Sequence, residues 1–355
     1  MFRQVQQNAG GISGSGRNTH APFLAKIRPR RKGRSVLVPR NTALAQVLPR
    51  KYATAMRHIP TASLKELCTY RIGGTAEVFV PESIAEMVDL IHGLRRHGRP
   101  FWILGGGANT LFADGHLPMP VISTRGLSGY AIHGTLVSAE AGVWLDRMVA
   151  ATVRRGLGGL EALSGIPGTI GGALVMNAGA YGAEVSNTLE SVTVLAPDGT
   201  IATLPRSACG FAYRRAKGLE GHIVLSASWR LAPQDPTTLA NTRREILKRR
   251  RTTQPLEFPS AGSVFRRPPG DYASRLVDAA GLKGTAIGGA QVSEKHAGFI
   301  INRGGATCAQ VLALIALCQH TVAERFGIQL DLEQCLCPPS LSSWAPELLA
   351  LEPPQ

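Results

Sequence analysis

Between Ser164 and Gly182 the chain reads SGIPGTIGGALVMNAGAYG, nineteen consecutive positions dominated by small residues, with Met176 and Tyr181 the bulky ones. A stretch so poor in side-chain volume cannot fill a close-packed interior by itself. It suits backbone lying flat along an extended ligand. A second such segment, ILGGGANTL (Ile103–Leu111), follows a buried apolar run. Three successive glycines let the backbone approach a ligand and turn N–H groups toward an anion, although a tight structural turn would also use them. The pattern GxGxxG opening a helix, with an acidic residue about twenty positions on, is absent, which argues against a Rossmann unit. Two glycine-rich segments imply a ligand as long as a dinucleotide.

The net charge of +15 suggests a polyanion partner until it is located. Thirteen Lys or Arg precede the first carboxylate, Glu66, which leaves 26 basic against 24 acidic residues in the remainder. The body is nearly neutral, so no nucleic-acid binding is expected of it. Residues 1–60 form a basic extension, rich in Gly, Ser and Asn and including KIRPRRKGR, with the composition of a disordered segment. Three readings of it stay open: an organelle-targeting peptide, a nucleic-acid or anionic-surface arm, which would lack interleaved aromatics, and a start assigned too early, with Met56 just before the patterned region. No run of about 18 apolar residues occurs, so no membrane span is expected. Six cysteines without CxxC or Cys/His ligand spacing imply free thiols in a reducing cytosol and no metal site.

The periodicity predicts a mixed α+β chain. CTYRIGGTAEVFVPES is expected to form two strands about a Gly-Gly turn, followed by a helix over 84–97 capped by Ser83. PFWILGGGANTLFADG (100–115) reads as a buried strand running into a glycine loop, so strand, helix and strand make a β-α-β unit. Short antiparallel strands follow at 126–143, then a helix at 144–156, a hairpin about Asp198-Gly199 and a strand ending near Leu231. PQDPTT reads as a linker. Beyond it come a basic helix at 239–251, a helix at 307–326 and a last alternating strand, IQLDLEQC. These boundaries give an extension at 1–60, a domain at 64–232 in two parts (64–124 and 125–232), a second domain at 238–335 and a tail at 336–355.

Candidate chemistry sits in three separate places. In PSAGSVFRRPPG, Ser263 is a small hydroxyl braced between turns and followed by Phe265, Arg266 and Arg267. FAYRRAKG gathers Tyr213, Arg214, Arg215 and Lys217, either a basic surface loop or a clamp for carboxylate or phosphate. In IQLDLEQ the parity puts Gln329, Asp331 and Glu333 on one face, and the pattern alone does not rank Glu333 above Asp331.

Taken in order, YRIGG, LGGGAN, SGIPGTIGGALVMNAGAYG, YRRA, GSVFRRP, GGAQVSEKHAGFIIN and GIQLDLE resemble the UDP-N-acetylenolpyruvoylglucosamine reductase (MurB-type) family, in its shorter form, over about residues 64–333. The resemblance implies a p-cresol-methylhydroxylase-type FAD-binding fold in two subdomains plus a C-terminal α+β substrate-binding domain. It implies a cytoplasmic, monomeric enzyme of peptidoglycan precursor synthesis that uses FAD and NADPH to reduce UDP-N-acetylglucosamine enolpyruvate to UDP-N-acetylmuramate. It further implies Ser263 as proton donor, Arg214 as stabiliser of the developing enolate and Glu333 as an aid to protonation. Gly105, Gly106, Gly107, Ala108 and Asn109 are expected at the FAD pyrophosphate, and Ile170, Gly171, Gly172 and Asn177 at the flavin and ribityl chain. Tyr181, Arg266, Lys295 and His296 are expected at the substrate. Ala108 and Thr110 depart from the usual GGGSNLL, Ala216 stands where a serine often follows YR, Arg267 where some members have Asn, and LDLEQ lacks the proline of LEPEV. The rival readings are another FAD oxidoreductase of this fold, acting on an alcohol or lactone, and a nucleic-acid-binding protein working through the basic arm.

Overall fold

The structure is a computed structural model and describes residues 56–343. The readings made for residues 1–55 and for 344–355 lie outside the described residues. The chain opens with β1 (Arg57–Ser63) and β2 (Thr75–Val80), then α1 (Ile84–Arg96), β3 (Trp102–Leu104), β4 (Thr110–Phe112) and β5 (Val121–Ser123). β1 lies antiparallel on β2, while β2 and β3 both run parallel to β5, giving the order β1-β2-β5-β3. The expected β-α-β unit is therefore present, with β5 inserted between its two strands.

The strand expected from Cys68, ahead of the Gly73-Gly74 turn, does not form. Those residues make a turn, and the antiparallel partner of β2 is β1, upstream of residue 64. β1 carries no apolar alternation and contains Pro60, which an edge strand tolerates because one side of it needs no ladder donors.

Next come β6 (Tyr130–His133), β7 (Leu136–Glu140), α2 (Leu145–Arg154), β8 (Leu157–Gly158), α3 (Ile170–Val175), β9 (Gly179–Ala180), β10 (Ala183–Glu184), β11 (Leu189–Leu195), β12 (Ile201–Pro205), β13 (Phe211–Ala212), β14 (Arg215–Ala216), β15 (Ile223–Arg230) and β16 (Ala232–Pro233). Five of these build an antiparallel sheet in the order β12-β11-β15-β7-β6. Trp229 of β15 is buried beneath it and donates its indole N–H to the Val185 carbonyl at 2.9 Å. The last part comprises α4 (Pro236–Thr253), α5 (Ala273–Ala279), β17 (Ala286–Ile287), β18 (Ala290–Val292), β19 (Ile300–Asn302), α6 (Cys308–Phe326) and β20 (Cys335–Cys337).

The caps explain the helix limits. Ser83 accepts from the Glu86 N–H, Asp235 from the Thr238 N–H ahead of Pro236, and Thr307 forms a reciprocal capping box with Gln310. Gly327, at φ +66°, closes α6.

Alternation along β2 serves two cores. Phe79 faces α1, where Met87, Leu90, Ile91 and Leu94 pack against it and against Leu195, Ile223 and Leu225 of the antiparallel sheet. Val78 and Val80 face the other way, into a core shared with Val264, Leu276, Val277 and the α6 residues Val311, Leu314 and Ile315. Residues far apart in sequence thus bury one another, and this shared core carries 261–265 and 330–337 to the glycine loop. The predicted strand IQLDLEQC is mostly irregular: residue 332 bridges Phe265, and the regular strand there is β20, parallel to β4.

Candidate active site

The two small-residue segments lie against each other. A methyl group on Gly106 would come within 2.5 Å of the Gly168 Cα, and one on Gly105 within 2.5 Å of the Thr169 hydroxyl. Gly107 has φ +61°, and a side chain there would strike the Leu67 carbonyl at 2.3 Å. Ladder-like bonds fix the second segment: Leu145 N–H to Gly168 O at 3.0 Å, Ile170 N–H to Val143 O at 2.9 Å and Gly171 N–H to Ala141 O at 2.8 Å. Ile170 therefore gives both its N–H and its buried side chain to the protein's own packing. Gly172 is different, because nothing lies within 4 Å of where its Cβ would be.

Asn177 is buried at φ +40°, and its amide donates to Glu184 Oε2 at 2.6 Å and to the Ala212 carbonyl at 3.0 Å. Its Oδ1, like the Thr169 hydroxyl beside Gly105, is buried with no protein hydrogen-bond partner. Buried polar atoms are rarely left so. A ligand with polar groups along this channel would satisfy both.

The reactive candidates converge at one end. Ser263 forms a bridge with Phe299, the Val264 N–H donates to Gly298 O at 2.9 Å, and the Glu333 N–H donates to Val264 O at 2.8 Å. The backbone of Glu333 is thus bonded to the residue next to Ser263. Arg214, at φ +53° in the turn between β13 and β14, reaches across and donates from Nε to Glu333 Oε1 at 3.2 Å. Its Nη2 donates to the Gly179 carbonyl at 2.9 Å, and its guanidinium lies 4.9 Å from the Tyr213 ring centre. Asn109 closes the circle: its Nδ2 donates to Glu333 O at 3.0 Å, and its own carbonyl accepts from the Cys335 N–H at 2.8 Å. Burial raises the Glu333 carboxyl above its ordinary range, with Arg214 pulling the other way. The side chains of this pair are only 13% (Glu333) and 21% (Arg214) exposed, so water screens it weakly.

The residues expected at the substrate are less uniform. Tyr181, at φ +51°, is exposed beneath Arg249, whose Cζ is 5.3 Å from the ring centre. Arg266 keeps its Nε buried without a protein partner, and its charge acts on Glu333. Lys295 is engaged with the Arg251 carbonyl at 2.7 Å and Glu257 at 3.4 Å. His296 accepts the Gly298 N–H on Nδ1 at 3.1 Å and packs edge-on to Phe299, with burial lowering its pKa. Its ring holds the turn that places Ser263.

Two residues without a sequence signal also belong here. Arg125 donates to the carbonyls of Leu67, Gly105 and Gly106, and the exposed Trp144 stacks over it with 5.3 Å from Cζ to the ring centre. No periodic pattern marks either one. A lone arginine in STRGL reads as a surface charge.

Comparison with known proteins matches both parts of the chain. Residues 75–205 match the family model described as FAD binding domain, and residues 254–337 match UDP-N-acetylenolpyruvoylglucosamine reductase, C-terminal domain. UDP-N-acetylenolpyruvoylglucosamine reductase of Clostridium botulinum is 40% identical over 272 residues, 76% of this chain and 89% of that protein. The reductase of Caldanaerobacter subterraneus is 43% identical over 269 residues, 75% of this chain and 89% of that protein. The crystal structure of the Thermus caldophilus enzyme superposes with a TM-score of 0.70 at 34% identity, covering 80% of this chain and all of that one. The fold is accordingly the p-cresol-methylhydroxylase-type FAD-binding architecture, and the glycine cradle with its unpaired Thr169 hydroxyl fits FAD. With its cofactor domain and its C-terminal domain both matched and its relatives covered almost end to end, this chain belongs to the UDP-N-acetylenolpyruvoylglucosamine reductase family.

Proposed function

We propose that this chain reduces the enolpyruvyl group of UDP-N-acetylglucosamine enolpyruvate to the lactyl ether of UDP-N-acetylmuramate, with NADPH as reductant, in peptidoglycan precursor synthesis. It works as a monomer in the cytoplasm. Among the described residues no helix is long and apolar enough to cross a membrane. The observation that carries the residue assignment is the Arg214–Glu333 contact beside the Ser263 segment, assembled from three distant parts of the chain.

Bound here, FAD would supply two-electron hydride chemistry between NADPH and the methylene carbon of the substrate. The adjacent carbon, which bears the carboxylate, is left with an electron pair and needs one proton. Ser263 donates that proton from its hydroxyl. Arg214 offers fixed positive charge to the enolate oxygens as charge develops there, in a site that water screens poorly. Glu333, its carboxyl raised by burial, holds a proton more readily than a surface glutamate and replenishes the hydroxyl. Gly105–Asn109 would hold the FAD pyrophosphate, and Thr169, Gly172 and the Asn177 Oδ1 the flavin end. Tyr181 and Arg266 face the sugar nucleotide, with Lys295 and His296 shaping its wall.

The test separates the two halves of turnover. In Ser263→Ala, NADPH should bleach the flavin at the wild-type rate, while the enolpyruvyl sugar nucleotide should fail to restore it. Equal loss in both halves would make Ser263 structural. Rapid reoxidation by oxygen with an alcohol or lactone as reductant, and none by the sugar nucleotide, would favour the oxidase reading.

A further inference from the structure

Arg125 sits in the turn after β5, half-buried, and lies outside the residues assigned above. Its Nη2 donates to Leu67 O at 2.7 Å and Gly106 O at 3.0 Å, and its Nε to Gly105 O at 3.3 Å. Every one of these acceptors is neutral. Burial lowers its pKa, and the other group acting on its charge is the Cys68 thiol. An arginine stays protonated in such a place, so its charge calls for an anion nearby.

The direction in which that anion lies follows from peptide geometry. Across a planar trans peptide, the carbonyl of one residue and the N–H of the next point opposite ways. Arg125 holds the carbonyls of Gly105 and Gly106, which directs the N–H groups of Gly106 and Gly107 away from the guanidinium. The next carbonyl, Gly107 O, accepts from the Thr69 N–H at 3.0 Å and the Thr69 hydroxyl at 3.3 Å, which turns the Ala108 N–H away from Thr69. Substituted residues could not trace this path, because side chains at 105, 106 and 107 would collide with Thr169, Gly168 and Leu67.

We infer that Arg125 is a positioning residue for the FAD pyrophosphate: it pins the carbonyl edge of the Gly105–Gly107 loop so that three successive N–H groups face the anion, and it supplies the balancing positive charge from behind the loop. The inference rests on the reading that this loop receives the pyrophosphate. Trp144 covers the guanidinium on its open side.

The experiment measures FAD affinity of the FAD-free protein by flavin fluorescence, together with its melting temperature and kcat at saturating FAD. Arg125→Gln keeps an amide donor but no charge, and should weaken FAD binding about tenfold or more, the size of one hydrogen bond to a charged group. Arg125→Lys keeps the charge and should recover part of that loss. At saturating FAD the variants' loss of turnover should be much smaller than their loss of FAD affinity. Wild-type affinity in Arg125→Gln, or equal loss in the Lys and Gln variants, overturns the inference. If Arg125→Gln does not fold, Arg125→Lys decides: a severalfold weaker affinity at unchanged melting temperature supports the idea, and wild-type affinity overturns it. Gly106→Ala separates the underlying reading, since its Cβ must displace Gly168. Unchanged FAD binding there would remove the pyrophosphate from this loop altogether, whereas loss there with none in the Arg125 variants would remove only Arg125.

Discussion

Arg214→Met tests the proposed chemistry most sharply, because it removes charge while keeping side-chain length. Three interactions go: the 3.2 Å bond to Glu333, the 2.9 Å bond to the Gly179 carbonyl and the stack on Tyr213. Loss of one preorganised donor to a developing oxyanion costs roughly 10²–10³ in rate, so substrate-driven reoxidation of the flavin should slow by about that factor. Flavin reduction by NADPH needs no enolate stabiliser and should stay within about twofold, equivalent to roughly 0.4 kcal/mol. Stability should fall by only about 1–2 kcal/mol, one carbonyl having lost a charged donor, since Glu333 can escape by taking up a proton. That uptake gives a second readout. Burial already raises the Glu333 carboxyl and Arg214 opposes the rise, so removing Arg214 moves it further up. The limb of the pH–rate profile that reports Glu333 should shift to higher pH. Stopped-flow absorbance of the flavin band across a pH series measures both effects. Equal slowing of the two half-reactions, or an unshifted profile, would refute the assignment.

Other outcomes follow from the same geometry. Glu333→Gln should abolish the Glu333 limb of the reoxidation profile. Because the Glu333 pKa is raised in the folded state, its contribution to stability is present at low pH and lost as pH rises through the raised value. The melting temperature of the Gln variant should therefore gain on wild type from acid toward neutral pH. Glu77→Gln should show the opposite sign. Burial pushes its carboxyl up, but bonds from His58 at 2.8 Å and Arg99 at 2.7 Å outweigh that and hold it low, so wild type should be more stable by about 1 kcal/mol at neutral pH and lose the margin on acidification. Trp229→Phe should cost about 2–3 kcal/mol in urea denaturation, from a core cavity and an unpaired Val185 carbonyl.

The longer helices were legible from a 3.6-residue apolar stripe, and among the described α-helices α1, α4 and α6 also have a side-chain cap, whereas α2, α3 and α5 do not. Ser83 marks the start of α1, whereas Asp235 and Pro236, which open α4, stand in PQDPTT, the stretch read as a linker. Strands that bury one face were legible as well, including the hairpin about Asp198-Gly199. β1 was not, since an edge strand with Pro60 and half-exposed side chains has no alternation to read. In IQLDLEQ the alternation is real, but it follows from a buried Leu330 and single bridging contacts to residues 264–266 rather than from a continuous ladder. The glycine segments stand out in the sequence, whereas their mutual contact does not, because nothing local announces that Gly106 will rest on Gly168. Arg125 was illegible for the same reason: its three acceptors lie up to 58 positions away in sequence.

The placement of Glu333 explains how the glycine loop and a carboxylate from the far end of the chain are held as one unit. β20 runs parallel to β4, immediately after the glycine loop, so Glu333 is tied to that loop by the Asn109 amide and on its other side to the Ser263 segment by the Val264 carbonyl. Both ties are backbone bonds of Glu333 itself, which fixes the carboxyl's origin while leaving its side-chain torsions to Arg214. Val264 and Leu330 anchor the same strip in the core that also holds Val78 and α6, so shifting Glu333 relative to the loop would disturb packing well beyond the site. In the proposed reaction, a shared core in place of two separate ones would supply the alignment: hydride donor and proton donor must address neighbouring carbons of one substrate, and a hinge between them would let that spacing drift.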